Sequence, residues 1–240
     1  MKRVHLICNA HLDPVWLWRW QEGCTEALST FRTAEAFTEE FPDFVFNHNE
    51  AILYEWVKEN EPENFAKICK IMLPKDYLAY CLTGVHCCDY SDASGMLLLD
   101  VKNKCWSEQM MEICGVSREQ MPELFESYEK VGTLKPEVAK ELGLPETCLV
   151  AAGAGDNAAA AVGTGTVGDG QCNVSLGTSG TIFISSENFG VDPHNALHAF
   201  AHADGHYHLM GCMLSAASCN KWWMDTIIGT KDYEKEQEAI

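Results

Sequence analysis

The chain has 240 residues, 47% of them hydrophobic, and a formal net charge of -18 from 35 acidic against 17 basic side chains. This is enough apolar material for one large domain or two modest ones. The carboxylate excess excludes a surface built for nucleic acid or an anionic membrane, whose phosphates it would repel. A single nucleotide remains compatible, because backbone amides and a bridging cation hold phosphates without surplus Lys or Arg.

The first residues, MKRVHLICNAHLDP, begin basic, but the apolar run breaks at Asn9, His11 and Asp13, too early for a signal peptide, and no later stretch nears membrane-spanning length. Twelve cysteines occur without a C-x-x-C pair, several in apolar contexts (Cys69, Cys81, Cys148, Cys212). They are expected to be reduced core thiols of a cytoplasmic protein, including the adjacent Cys87 and Cys88.

Residues 4–8, VHLIC, have the character of a buried parallel strand ending at a polar cluster. A helix is expected over GCTEALSTFRTAEAFTEEF, then a brief strand at FVF and helices punctuated by Pro62 and Pro74. Ser107 to Leu144 reads as short helices and turns. WSEQMMEICG carries a Ser cap and a closing Gly, and KPEVAKELGL repeats the pattern. CLVAAGAGDNAAAAVG is a buried strand, a glycine turn and a helix. Beyond Gly170, QCNVSLGTSGTIFISS forms two strands about Gly-Thr-Ser-Gly, and ALHAFAHADGHYHLMG two more about Asp204-Gly205, a strong hairpin signal. The helix LSAASCNKWWMDTII follows, with at least one of Trp222 and Trp223 expected in the core. His194, His198 and His202 are four apart, but on a strand that spacing does not make a metal face. His198 and His202 are expected to pack with Phe200.

Three short patterns carry chemistry. His11 and Asp13, two apart at a strand end, can point the same way toward one cation, yet two donors are too few for zinc, and on spacing alone packing at a strand-to-turn junction explains them better. Asp156 follows Gly153 and Gly155 at a helix start. It is either an N-cap or a carboxylate placed to accept the proton of a hydroxyl attacking a γ-phosphate. Gly177-Thr178-Ser179 is either a plain turn or a set of amides and hydroxyls for a phosphate.

HLICNAHLDPVWLWRWQEG, continuing to about Tyr54, resembles the start of the family 38 α-mannosidases. The resemblance implies His11 and Asp13 as zinc ligands and Trp16 as a sugar contact. It also implies a catalytic aspartate and another histidine ligand, neither of which follows, so a Zn2+ site would be incomplete. From about Trp56 onward the chain resembles the FGGY carbohydrate kinases, most closely the xylulokinases, through WVKENEPENFAKICKIMLPKDYLAYCLTG, DYSDASGMLLLDV, VGTLKPEVAKELGLP, GAGDNAAAAVG and VSLGTSG, in that order. This resemblance implies an α/β, actin-like (ribonuclease H-like) ATPase fold, here partial and preceded by a βα fragment of a mannosidase (β/α) barrel. It implies Asp156 as general base, Asn157 as a sugar contact, and Gly177, Thr178 and Ser179 as the phosphate turn for ATP with Mg2+; Ser91 to Gly95 would lie toward the sugar.

The expected organisation is 1–55 mannosidase-like, 56–168 the later part of the kinase amino-terminal domain, and 169–240 the start of its carboxyl-terminal domain, joined within YEWVKENEPE. The kinase resemblance also implies an amino-terminal acidic residue, a Gly-Thr phosphate hairpin and a further nucleotide lobe that this sequence lacks. The expectation is therefore a xylulokinase-like fragment, silent as it stands, with sugar and ATP as partners. The alternatives are a zinc α-mannosidase fragment and a non-catalytic sugar- or nucleotide-binding module.

Overall fold

The structure, a computed structural model, describes residues 8–9, 19–40, 46–47, 56, 58–194 and 196–232. The chain divides into two units, residues 1–154 and 155–240. Among the described residues no helix is long and apolar enough to cross a membrane.

In the first unit, strand β1 (Cys8–Asn9) pairs in parallel with β2 (Phe46–Asn47) across helix α1 (Trp20–Glu40), a βαβ crossover. The helix begins three residues before the expected span. Ala27 and Ala34 face inward, Ala27 packing on Trp56 with Cys24 and Phe31 alongside. Arg32 pairs with Glu61, and Glu35 with Lys67 at 2.8 Å, so the helix is fastened to residues beyond the proposed join.

Helices α2 (Pro62–Phe65) and α3 (Pro74–Thr83) both start at proline, whose missing N–H costs nothing in a first turn. Strand β3 (Cys87–Asp89) leads into the short helix α4 (Tyr90–Ala93), and β4 (Leu99–Asp100) makes a small hairpin with β5 (Cys105–Trp106). Helix α5 (Glu108–Cys114) is capped as expected: the Ser107 hydroxyl accepts from the Met110 amide at 3.3 Å, and Gly115 adopts the left-handed conformation that ends it. The main apolar cluster of this unit gathers here, around Ile71, Leu73, Met96, Leu98, Trp106 and Met111. The buried Trp106 indole donates to the Pro122 carbonyl at 2.8 Å.

The stretch read as helices and turns also contains strands: β6 (Glu123–Phe125), parallel to β3, and β7 (Lys130–Thr133). After helix α6 (Pro136–Leu142), β8 (Leu149–Ala151) pairs antiparallel with β7. The expectation of a buried strand at residues 148–152 is corrected: β8 has a single partner strand, Leu149 is 64% exposed, and only the following Ala152 is buried.

A buried ion cluster ties this unit together. The Lys75 ammonium donates to Asp76 Oδ1 at 2.9 Å and to the Ala152 carbonyl at 3.1 Å, and sits 2.9 Å from Asp89 Oδ1 as an ion pair without hydrogen-bond geometry. Asp89 Oδ2 accepts from the Ser91 amide and hydroxyl and from the Ser127 hydroxyl. Both aspartates are fully buried. Burial disfavours the Lys75 charge, but Asp76 and Asp89 outweigh it and hold the ammonium well above its usual range.

In the second unit, helix α7 (Asp156–Gly163) covers one face of a four-stranded antiparallel sheet of order β11-β12-β10-β9, comprising β9 (Cys172–Leu176), β10 (Gly180–Ser186), β11 (His198–Ala201) and β12 (Tyr207–Met213). The expected Asp204-Gly205 hairpin is present: Asp204 Oδ1 accepts from the His206 amide at 2.9 Å and Gly205 has φ 92°. Helix α8 (Ala217–Trp222) continues with wider, π-type winding through Ile228. Trp222 and Trp223 are 54% and 43% exposed, which corrects the core expectation: the residue turned inward is Met224. The cysteine expectation is corrected in part: the cysteines from Cys24 to Cys219 are free, and Cys87 and Cys88 are buried, but Cys69 and Cys212 are exposed.

Of the histidines, His202 and His208 are core groups, whereas His198, expected to pack with His202 and Phe200, is exposed. His208 stacks on Phe183 (3.9 Å between centroids) and Phe200 (5.2 Å), while the fully buried His202 meets the Phe183 edge and shares Nε2 with the Thr166 carbonyl at 3.0 Å. Burial, aided by His202, pushes His208 down to about 3. An unfolded chain returns it to about 6.5, so below that pH the unfolded state binds the extra proton. Stability is therefore expected to be full above about pH 6.5 and to fall as pH drops toward about 3, with a slope approaching ~1.4 kcal/mol per pH unit from this group. Urea midpoints measured across that range for the parent and His208→Leu should show the variant lacking this component.

Candidate functional site

Helix α7 delivers the acidic residue. Gly155 is its N-cap and Asp156 its first helical residue, so Asp156 is not the N-cap. The preceding turn needs glycine at Gly153, whose φ is 78° and where an added Cβ would lie 3.1 Å from the Lys75 Cδ. Asp156 is exposed. Its Oδ1 accepts from the Asn157 amide at 2.8 Å and from Asn157 Nδ2 at 3.1 Å, while Oδ2 has no partner among the described residues. One carboxylate oxygen is thus held and the other presented.

The turn Gly177-Thr178-Ser179 joins β9 to β10 and is exposed. Its carbonyls are occupied: Gly177 accepts from the Ala217 amide at 2.9 Å, and Thr178 from the Ala216 amide at 2.9 Å and the Ser218 hydroxyl at 2.8 Å. The start of α8 therefore clamps the turn from behind. The amides and hydroxyls of Thr178 and Ser179 make no hydrogen bond among the described residues. The Gly177 amide donates within the turn to the Ser179 carbonyl at 2.8 Å, which leaves a turn with its acceptors engaged and the Thr178 and Ser179 donors open, as a phosphate requires.

Both features sit at one end of the sheet. Thr181, two residues beyond the turn on β10, donates its hydroxyl to Asn157 Oδ1 at 3.3 Å, linking the acidic helix start to the strand that leaves the turn. Thr181 faces Cys212 on β12. Partial burial, then the charge of Asp156, pushes the Cys212 thiol up, so it stays protonated beside the carboxylate. Thr181, Cys212 and Ser218 were missed by the sequence reading. The strand period was the available signal, since Thr181, Phe183 and Ser185 alternate onto one face.

The other predicted residues are not brought together here. His11, Asp13 and Trp16 lie outside the described residues. Among the described residues, no group of three or more His, Cys, Asp or Glu side chains is placed to hold a metal. The segment Ser91 to Gly95 is largely buried in the first unit, with Ser91 bonded to Asp89.

The family model for the FGGY family of carbohydrate kinases, N-terminal domain, matches residues 11–163. The chain belongs to this family. The match also takes in residues 11–55, the part with the mannosidase-like motif. Xylulose kinase of Escherichia coli is 51% identical over 168 residues, covering 70% of this chain and 34% of that protein. Xylulose kinase of Bacillus subtilis is 38% identical over 186 residues, covering 77% and 37%. The chain thus spans about a third of the length of the curated relatives it matches. Among solved structures, a xyloylose kinase from Brucella ovis superposes with TM-score 0.73 at 40% identity, covering 90% of this chain and 44% of that one. A xylulose kinase from Bifidobacterium adolescentis gives 0.66 at 28% identity, covering 77% and 41%. The fold accordingly fits the actin-like ATPase fold of these sugar kinases.

Gly180, which closes the turn, is fixed by crowding: an added Cβ would lie 2.8 Å from the Ala216 Cβ and 3.3 Å from the Ser175 carbonyl oxygen. Gly180→Ala is expected to push α8 off the turn and cost about 1–3 kcal/mol, the range for overpacking a filled site. Denaturant unfolding of parent and variant measures this, and an unchanged midpoint would contradict it.

Proposed function

We propose that this chain is the portion of a xylulokinase-like enzyme that carries the general base and one phosphate turn, for transfer of the γ-phosphate of ATP to a ketopentose hydroxyl. The observation that supports it is the convergence of Asp156, Asn157 and the Gly177–Ser179 turn at one end of a single sheet, joined through the Asn157–Thr181 bond. Asp156 Oδ2 accepts the proton of the sugar hydroxyl as its oxygen attacks the γ-phosphorus and ADP departs. Asn157 contacts the sugar, and the Thr178 and Ser179 amides and hydroxyls hold the nucleotide's phosphate oxygens. Mg2+, when bound with ATP, neutralises charge on the transferring phosphoryl group. The described side chains offer it no three-donor site, so no residue is assigned to it.

For the amino-terminal segment the reading is descent from an α-mannosidase, with boundaries at 1–55, 56–168 and 169–240. The HLDP wording around His11 and Asp13 supports it, as does the parallel pairing of β1 with β2 across α1, the βαβ unit from which a (β/α) barrel is repeated. A single transcript read across the codons for Tyr54 to Glu63 tests the join, and separate transcripts for the two sides would dissolve it.

The catalytic reading is tested by grafting residues 56–240 in place of the matching third of the Escherichia coli xylulose kinase and assaying ATP-dependent phosphorylation of D-xylulose. The graft is expected to be active, and its Asp156→Asn form to lose roughly 10² to 10⁴ in kcat, as for a positioned general base. An unimpaired Asp156→Asn form would reduce Asp156 to a helix-start residue. Sugar binding to the grafted protein without any nucleotide binding would favour the non-catalytic module instead.

A further inference from the structure

Asn157 hydrogen-bonds both Asp156 and the strand leaving the phosphate turn, and its usefulness depends on which end of its amide faces which neighbour. The chemistry of the neighbours settles this. An ionised carboxylate only accepts, so the group 3.1 Å from Asp156 Oδ1 is the Nδ2 amino end. The carbonyl end, Oδ1, then lies 3.3 Å from Thr181 Oγ1 and can only accept. Thr181 therefore donates. The hydrogen bonds run in one direction, from the Thr181 hydroxyl to Asn157 Oδ1 and from Asn157 Nδ2 to Asp156 Oδ1, leaving the second Nδ2 hydrogen for a ligand.

Without the Thr181 hydroxyl, the carbonyl end of Asn157 would have no protein donor among the described residues, and the amide would be held only by Asp156. Its rotation about χ2 would then be restrained from one side. Nothing in the strand itself requires a hydroxyl at this position: Thr181 is half-buried on β10, in register with Ser175 of β9 and Cys212 of β12, and a β-branched methyl would fill the same space.

We propose that Thr181 is a positioning residue, which locks the Asn157 amide in one orientation and thereby fixes both the held oxygen of Asp156 and the Asn157 hydrogen offered to the sugar. This rests on the assignment of Asp156 and Asn157 in the proposed function, although the orientation of the amide is measurable without any activity.

The test uses the full chain with 15N-labelled asparagine. The Asn157 side-chain amide pair is identified by its loss in Asn157→Ser. Thr181→Val keeps the volume and strand preference, and Thr181→Ser keeps the hydroxyl. In Thr181→Val the Asn157 pair is expected to shift toward free-amide values and to exchange with solvent about threefold to tenfold faster, the loss of one neutral hydrogen bond. In Thr181→Ser it should stay at parent values. Calorimetric titration with D-xylulose should weaken by a similar factor in Thr181→Val alone. A merely structural Thr181 would leave the amide pair unmoved in Thr181→Val, or would make both variants behave alike, and either result overturns the proposal. If the amide responds as expected but the parent does not bind D-xylulose, the positioning role stands and the sugar assignment of Asn157 falls.

Discussion

The site depends on a close approach between a helix and a sheet. Ala158 and Ala161 are buried on the inner side of α7, and Ala161 clusters with Phe183 and Met210 of the sheet. Small side chains on the helix allow it to lie low on the aromatic ring, and at that height Asn157 is within reach of Thr181. The opposite end is held by a second polar contact, Asn173 Nδ2 donating to Thr164 Oγ1 at 2.9 Å. Two hydrogen bonds at the ends and an apolar contact in the middle fix both the height and the direction of the helix. A carboxylate on the first turn then has little freedom to be anywhere else.

Much of this was legible in the residues. The Ser107 and Gly115 caps, the Asp204-Gly205 hairpin and the strand-turn-helix around Asp156 are local signals, each carried by a few adjacent residues whose chemistry suits one conformation. The missed strands β6 and β7 have three and four residues, and their identity comes from partners far along the chain, β3 and β8, not from their own composition. The same limit applied to β10. Its isoleucine Ile182 is 38% exposed, and the helix instead packs Ala161 on Phe183 and bonds Asn157 to Thr181. The aromatic residue outweighed the aliphatic one because the helix and the two histidines pack around its ring.

The amino-terminal helix is attached to the later chain around one aromatic side chain. Its contacts with the later chain include Ala27, Cys24 and Phe31 around Trp56, the Trp20 ring 6.4 Å from that of Trp56, and two ion pairs. Surface pairs of this kind contribute little, with a median of about 0–1 kcal/mol. The attachment therefore centres on Trp56, whose large apolar surface takes both the small Ala27 and the aromatic Trp20 and Phe31.

The Lys75 cluster also governs the order in which the first unit can be assembled. Its ligands come from residues 76, 89 and 152, and the last is separated from Lys75 by 77 positions. Asp76 and Asp89 find their counter-charge close by in sequence, but until the chain closes that long loop the ammonium lacks its backbone acceptor, and burying the cluster would leave that donor unpaired. Hydrophobic collapse around Ile71 and Trp106 can begin earlier, while the cluster keeps its water until the Ala152 carbonyl arrives. The final docking of β8 is thus coupled to dehydration of an ion cluster, a non-local step of the kind that slows folding relative to helix formation.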